Sequence, residues 1–222
     1  METPKPVANL LNEAWFAGHY FYIDEHAVIP RSLIGEYFEE QFQPWIDKSR
    51  VPSVLDFCTG GGCIAIATAV ESAEASTDAA DIWTDALVVA KRNVINYALE
   101  ERLNLMQLDL FEELPGKNDD LIISNPPYVP QSSTNLLLAE YNHEPEKALK
   151  ADDNGLAIIT NILDNAGYYL GERGFRIVEV GEGRDAVDNR FPEIPFTWLA
   201  HESGEEAVFL LSKIDLESLR DT

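Results

Sequence analysis

Two short patterns in the chain set chemically capable residues at fixed spacing. The first is Asp56 followed by Cys58, Thr59, Gly60, Gly61 and Gly62, with an apolar run on either side. Glycines between a strand-like and a helix-like run bring the N–H groups of a helix N-terminus beside a nucleotide-like ligand. A carboxylate four residues before Gly60 would repel a pyrophosphate. It suits a cationic amino group instead, as at the methionine end of S-adenosylmethionine. Taken alone, Gly-x-Gly-x-x-Ala is equally compatible with a plain strand–helix turn. Asp81, 19 residues after Gly62, ends the next strand-like segment. An α/β nucleoside site places a carboxylate there for the ribose hydroxyls, though a strand-ending surface Asp accounts for it as well.

The second pattern is Asn125, Pro126, Pro127 and Tyr128, directly after the apolar stretch Leu121–Ser124. Two prolines cannot continue a ladder, so they end the strand and stiffen the loop that leaves it. A planar amide or exocyclic amine is a poor nucleophile because its lone pair is delocalised. If its N–H groups were accepted by the Asn125 side-chain oxygen and the Pro126 carbonyl, its nitrogen would be aimed at a methyl donor. Tyr128 could stack on the flat group and exclude water. Such catalysis works by proximity and orientation, which can supply ~7–11 kcal/mol.

The elements that must position these residues follow from periodicity. Aromatic and polar residues alternate over Trp15–Ile29, and Asp24 with Glu25 suggests the turn of a hairpin. Ser32 is a fair N-cap for an amphipathic helix to about Trp45. From Val51 the chain alternates strand and helix, with strands over Ser53–Phe57, Ser76–Asp81, Leu103–Leu108, Leu121–Ser124 and Phe175–Gly181. Helices are expected over Ile64–Val70, Thr84–Leu99 and Leu156–Leu170. The second of these presents Leu87, Val88, Val94, Ile95 and Ala98 on one broad face. Phe196–Leu199 and Val208–Leu211 close the chain as a hairpin. This order predicts an α/β fold, a mostly parallel sheet covered on both faces, with an antiparallel strand at one edge. One boundary is expected near residue 50, dividing a 1–50 appendage from a 51–222 unit.

Composition narrows the function classes. The 222 residues carry a formal charge of −23, and 45% of them are hydrophobic. That is enough for a folded core, while the acidity argues against a surface that grips nucleic-acid phosphates. A basic partner is compatible with it, as is simple solubility. Cys58 and Cys63 have no nearby His to complete a zinc set, so no metal site is expected. The start lacks the marks of a signal peptide, and no apolar run is long enough to cross a bilayer. A cytoplasmic location and no membrane partner are therefore expected.

Asp-x-x-x-Gly-x-Gly followed by Asn-Pro-Pro-Tyr resembles the HemK/PrmB-type protein-(glutamine) methyltransferases. The resemblance runs from about Asn12 to Lys213. It includes Trp15–Glu25, Pro30–Ser32, Glu140–Leu149 and Pro195–Leu199, stretches similar to the branch that modifies a large-subunit ribosomal protein. It implies a Rossmann-like class I S-adenosylmethionine-dependent methyltransferase with a seven-stranded sheet, acting on a glutamine amide. By the resemblance, Cys58–Gly62 wrap the methionine part of the cofactor with Asp56 behind them. Asp81 and Ile82 lie at the ribose, and Asp109 and Leu110 along the adenine. Asn125–Tyr128 receive the glutamine, with Asn125 also bordering the cofactor, while Arg31, His143 and Glu144 shape the mouth. A loop-structuring hydrogen bond accounts for His143 as readily as chemistry does. The implied substrate is a basic ribosomal protein, with a release factor second and no direct nucleic acid. The family also carries a helical domain ahead of the Trp15 segment, where about fourteen residues stand in this sequence. Competing readings are a nucleic-acid amino-methyltransferase, which could use the same Asn-Pro-Pro-Tyr loop, and a non-catalytic cofactor-binding relative.

Overall fold

The computed structural model describes residues 5–38, 42–47, 51–116, 118–130, 145, 150–202 and 204–215. A short helix α1 (Val7–Leu11) leads into a hairpin of β1 (Glu13–Phe16) and β2 (His19–Tyr22), then a 3-10 helix (Leu33–Phe38). The alternating run follows: β3 (Ser53–Phe57), α2 (Cys63–Glu71), β4 (Ser76–Asp81), α3 (Thr84–Asn96), β5 (Leu103–Gln107) and β6 (Asp119–Ser124). Beyond a small ladder of β7 (Val129–Pro130) and β8 (Lys150–Ala151) come α4 (Ala157–Tyr169), β9 (Leu170–Glu179), α5 (Arg184–Arg190), β10 (Thr197–Leu199) and β11 (Val208–Ser212).

Seven strands form the main sheet in the order β10-β11-β9-β6-β3-β4-β5. The five from β9 to β5 are parallel, and β11 runs antiparallel beside β9. The closing hairpin does sit at one edge, but its antiparallel strand is the inner one. β10 takes the outside and runs parallel to the other five. Alternation along each central strand divides the core between two faces. Val54, Ile123 and Ile177 join one apolar cluster with α2, α3 and the N-terminal aromatics Phe16 and Phe21. Leu55, Ile122 and Val178 join another, covered by α4 and α5.

Three local expectations are revised. The hairpin turns at Ala17 and Gly18, not at Asp24 and Glu25. Both turn residues have positive φ, +47° and +74°, the type I′ pattern that matches the twist of paired strands. Asp24 instead accepts from the His26 amide and the Tyr22 hydroxyl, making a turn after β2. Ser32 does cap the next element, its hydroxyl accepting from the Ile34 amide, but that element is a 3-10 helix ending at Phe38. On α3 the buried face is Ala86, Val89, Ala90, Asn93 and Val94, while Val88 and Ile95 are exposed. Val94 is shared with the expected stripe, but Ala86, Ala90 and Asn93 take the place of bulkier residues where this helix packs closely on the glycine loop. A Cβ added at Gly62 would lie 3.2 Å from the Ala90 Cβ.

β4 forms despite its weak intrinsic propensity, since it is paired on both sides and four of its six residues are buried. Asp120, an odd residue in a buried strand, has a structural task. Its Oδ2 accepts from the Ser53 amide and hydroxyl at 3.1 and 2.8 Å, pinning the start of β3 to β6.

Candidate active site

The strands β3, β4, β6 and β9 all point the same way, so the loops after them meet at one edge of the sheet. They surround a cavity of about 1340 Å³, which the segment Glu25–Leu33 also lines. This is the position where open α/β sheets bind ligands.

The glycine loop forms the first wall. Cys58, Gly60 and Gly62 all have positive φ, and Gly62 serves as the N-cap of α2. The Thr59 amide donates to the Ala80 carbonyl at 3.1 Å, and the Gly60 amide donates to Asp81 Oδ2 at 2.9 Å. Asp81 Oδ1 accepts from the Trp83 amide at 2.9 Å. Asp81 thus holds the loop after β3 to the loop after β4. Burial pushes its carboxyl upward in pKa, and the Trp83, Gly60 and Ile82 amides oppose that rise. Each oxygen retains a second lone pair for a further donor.

Asp56 lies beneath this loop with no exposed surface, and it is not among the residues lining the cavity. Its Oδ2 accepts from the Thr59 hydroxyl at 2.5 Å, and Oδ1 has no hydrogen-bond partner among the described residues. Burial pushes the Asp56 carboxyl up to about 7. The Thr59 hydroxyl and the Ala65 amide in the first turn of α2 work against the rise, and nearby Asp81 adds to it. In this geometry Asp56 supports the loop from behind.

The second wall is the exit from β6. Ser124 Oγ donates to the Phe57 carbonyl at 2.9 Å, locking the ends of β6 and β3 together. Asn125, Pro126, Pro127 and Tyr128 then turn along the cavity, with Pro126 buried and the other three half-buried. Ile82, Asp109 and Leu110 line the cavity beyond Asp81, and Arg31 is exposed at its mouth. Gly62 is buried against α3 and does not reach the lining. His143 and Glu144 lie outside the described residues; their neighbour Pro145 lines the cavity.

Residues 42–177 match the family model described as "Methyltransferase small domain". The chain is 46% identical over 212 residues to the ribosomal protein uL3 glutamine methyltransferase of Neisseria meningitidis, covering 95% of this chain and 70% of that protein. It is 44% identical over 218 residues to the enzyme of the same name from Francisella tularensis, covering 98% of this chain and 69% of that one. The chain belongs to the ribosomal protein uL3 glutamine methyltransferase family. Solved structures agree on the fold. The hMettl16 catalytic domain superposes with a TM-score of 0.63 at 15% identity, covering 86% of this chain and 74% of that one. A methyltransferase from Pyrococcus furiosus gives 0.61 at 15% identity, covering 87% and 89%.

Within this family's fold, three residues of the site stand outside the motifs. Glu179 ends β9 on the cavity wall, and its signal is a lone acid closing the apolar strand Ile177–Val180 at the ligand-binding edge. Gly181 follows with φ +53°, where an added Cβ would lie 2.3 Å from Tyr128 Cε2. Asn93, fully buried on α3, donates to the carbonyls of Gly61 and Tyr22 and accepts from the Tyr22 amide, all at 2.9 Å. It clamps the glycine loop to the N-terminal hairpin. A buried amide in a helix of otherwise ordinary pattern carries no local signal.

Proposed function

We propose that the protein transfers a methyl group from S-adenosylmethionine to the side-chain amide nitrogen of a glutamine in the large-subunit ribosomal protein uL3. The observation that carries this reading is that Asn125 and Tyr128 share one cavity with the glycine loop and Asp81. A methyl acceptor and a methyl donor can therefore be held against each other. The names of the curated relatives support glutamine as the acceptor and uL3 as the protein that carries it.

The residues present suit this cofactor. The lone pairs left on Asp81 match the two hydroxyls of a ribose. A Cβ added at Gly60 would meet no atom within 4 Å, so the loop leaves open space there. Ile82 and Leu110 offer apolar flanks for a purine, with Asp109 beside them. S-adenosylmethionine, when bound, supplies an electrophilic methyl group and becomes a neutral thioether.

The chain's own task is to present the nucleophile. Asn125 Oδ1 and the Pro126 carbonyl accept the two amide N–H groups, so the nitrogen lone pair faces the donor. The φ restraint of the two prolines keeps these acceptors in one orientation. Tyr128 covers the planar group and limits access of water. After transfer the amide nitrogen is cationic and strongly acidic, so it sheds one N–H proton without a strong base. We assign Glu25–Leu33 of the N-terminal segment to the recognition of the protein substrate at the cavity mouth, and the site of action to the cytoplasm.

Incubation of unmodified uL3 with methyl-labelled S-adenosylmethionine and peptide mass spectrometry tests the proposal. One added methyl on a glutamine is expected with the wild type. Asn125→Ala should lower the rate at least ~100-fold while cofactor binding persists. Undiminished labelling by that variant would show that Asn125 does not hold the acceptor amide.

A further inference from the structure

We propose that Glu179 is a positioning residue for the transfer, one carboxylate that fixes Tyr128 and the strap Pro30–Leu33 together. The inference rests on the methyl-transfer reading above. Glu179 is 3% exposed. Its Oε1 accepts from the Tyr128 hydroxyl at 3.1 Å. Its Oε2 accepts from the Ser32 hydroxyl at 2.5 Å and from the Leu33 amide at 3.0 Å. These donors belong to segments far apart in the chain, one before the sheet begins and one in the loop after β6. A carboxylate offers acceptor sites only, which suits three converging donors, and the donors offset its burial.

Tyr128 is constrained from a second direction. Its ring fills the space that a side chain at position 181 would need, two residues beyond Glu179. Glu179 holds the hydroxyl and Gly181 leaves room for the ring, so β9 and its exit loop define where the ring sits. The strap along the cavity mouth hangs from the same carboxylate. A strap that opens therefore releases donors from the group that orients Tyr128. Glu179 acts through Tyr128 and the strap, not by touching the reacting atoms.

The experiment compares Glu179→Ala, Glu179→Gln, Tyr128→Phe and the Glu179→Ala/Tyr128→Phe double variant. Steady-state methylation of uL3 is read together with hydrogen exchange of the Leu33 amide in the ligand-free protein. Gln can accept from Leu33 and Ser32 through its oxygen and donate to the Tyr128 hydroxyl oxygen, restoring the network with one bond reversed. Glu179→Ala is expected to lower kcat about 10- to 100-fold, the loss of charge-assisted bonds, with KM for S-adenosylmethionine within about threefold of wild type. Glu179→Gln should recover most of that loss. Tyr128→Phe should add nothing in the Glu179→Ala background. Leu33 exchange should quicken about tenfold or more in Glu179→Ala alone among the two Glu179 variants.

Multiplicative losses in the double variant, no rescue by Gln, or an effect confined to KM would each overturn the proposal. Should Glu179→Ala not fold, Gly181→Ala displaces the ring without touching the carboxylate. It must then lower kcat and quicken Leu33 exchange, and an unchanged kcat or unchanged exchange overturns the coupling. A wild-type protein that leaves uL3 unmodified would refute the functional reading, while the exchange measurement still decides the linkage of strap and ring.

Discussion

Replacing Asp56 with Asn should change how stability depends on pH, not only how large it is. The wild-type carboxyl is fully buried, receives one hydroxyl at 2.5 Å, and has a pKa pushed up to about 7 by that burial. In the unfolded chain the same group titrates near 4. Between these values the native state holds a proton that the unfolded state has released, so stability falls as pH rises through the interval. The contribution is fully present below about pH 4 and lost by about pH 7. Each unit of displacement corresponds to ~1.4 kcal/mol, so the step from pH 5 to pH 7 carries about 2–3 kcal/mol from this group. Asn cannot ionise. It keeps an acceptor for Thr59 but places an N–H₂ where Oδ1 has no partner among the described residues, a pH-independent loss of ~1–3 kcal/mol. Urea unfolding of both proteins at pH 5, 6, 7 and 8 measures the difference directly. At pH 5 the variant should be the less stable, and by pH 7 to 8 the gap should have narrowed by about 2–3 kcal/mol. A gap constant to within about 0.5 kcal/mol would mean that Asp56 ionises as an ordinary carboxylate. Asp56 would then not be the buried support beneath the glycine loop.

Asn93→Leu should be strongly destabilising, by about 3 kcal/mol or more, because it strands the buried Gly61 carbonyl and the part-buried N–H and carbonyl of Tyr22. Denaturant unfolding checks this, and a loss under ~1 kcal/mol would refute the clamp. Methylation of basic uL3 should slow about tenfold between roughly 50 and 500 mM salt, since a chain of charge −23 attracts it at long range. A kcat/KM indifferent to salt would return the acidity to a role in solubility alone.

The parts of the fold most legible in the sequence are those fixed by strong apolar periods. Val54–Phe57 and Leu121–Ile123 read as buried strands, and the strand–helix alternation dictates a parallel sheet whose loops meet at one edge. That pattern alone brings Asp81, the glycine loop and Asn125–Tyr128 together. What is illegible depends on contacts between distant segments. The inward face of α3 is set by a neighbouring glycine loop that packs on Val89, Ala90 and the clamping amide of Asn93, so of the residues hydrophobic period points to, Val94 is buried but Val88 and Ile95 are exposed. α5 is short and largely polar, with only Val187 buried, and offers no pattern to read. Gly62 has the look of a ligand contact because of its motif, yet its absent Cβ serves the approach of Ala90.

The acidity of the chain hides a division of labour. Most of its 39 carboxylates give the molecule its field, but three that end or nearly end parallel strands work locally. Asp56 near the end of β3 receives the Thr59 hydroxyl, Asp81 at the end of β4 receives the amides of Gly60 and Trp83, and Glu179 at the end of β9 receives Ser32, Leu33 and Tyr128. Loops leaving the carboxyl edge of a sheet carry unpaired N–H groups that helices and ladders do not satisfy, and for Asp81 and Glu179 a carboxyl group is the partner of several donors at once. Burial raises the pKa of all three, while the donors they collect favour the ionised form. These carboxyl groups therefore act as fasteners of the loops that hold donor and acceptor, and Asp56 does so while keeping its own proton up to about pH 7. This follows from the chemistry of the acceptor, because an amide methylated on nitrogen loses its proton readily and leaves the site with alignment as its main task.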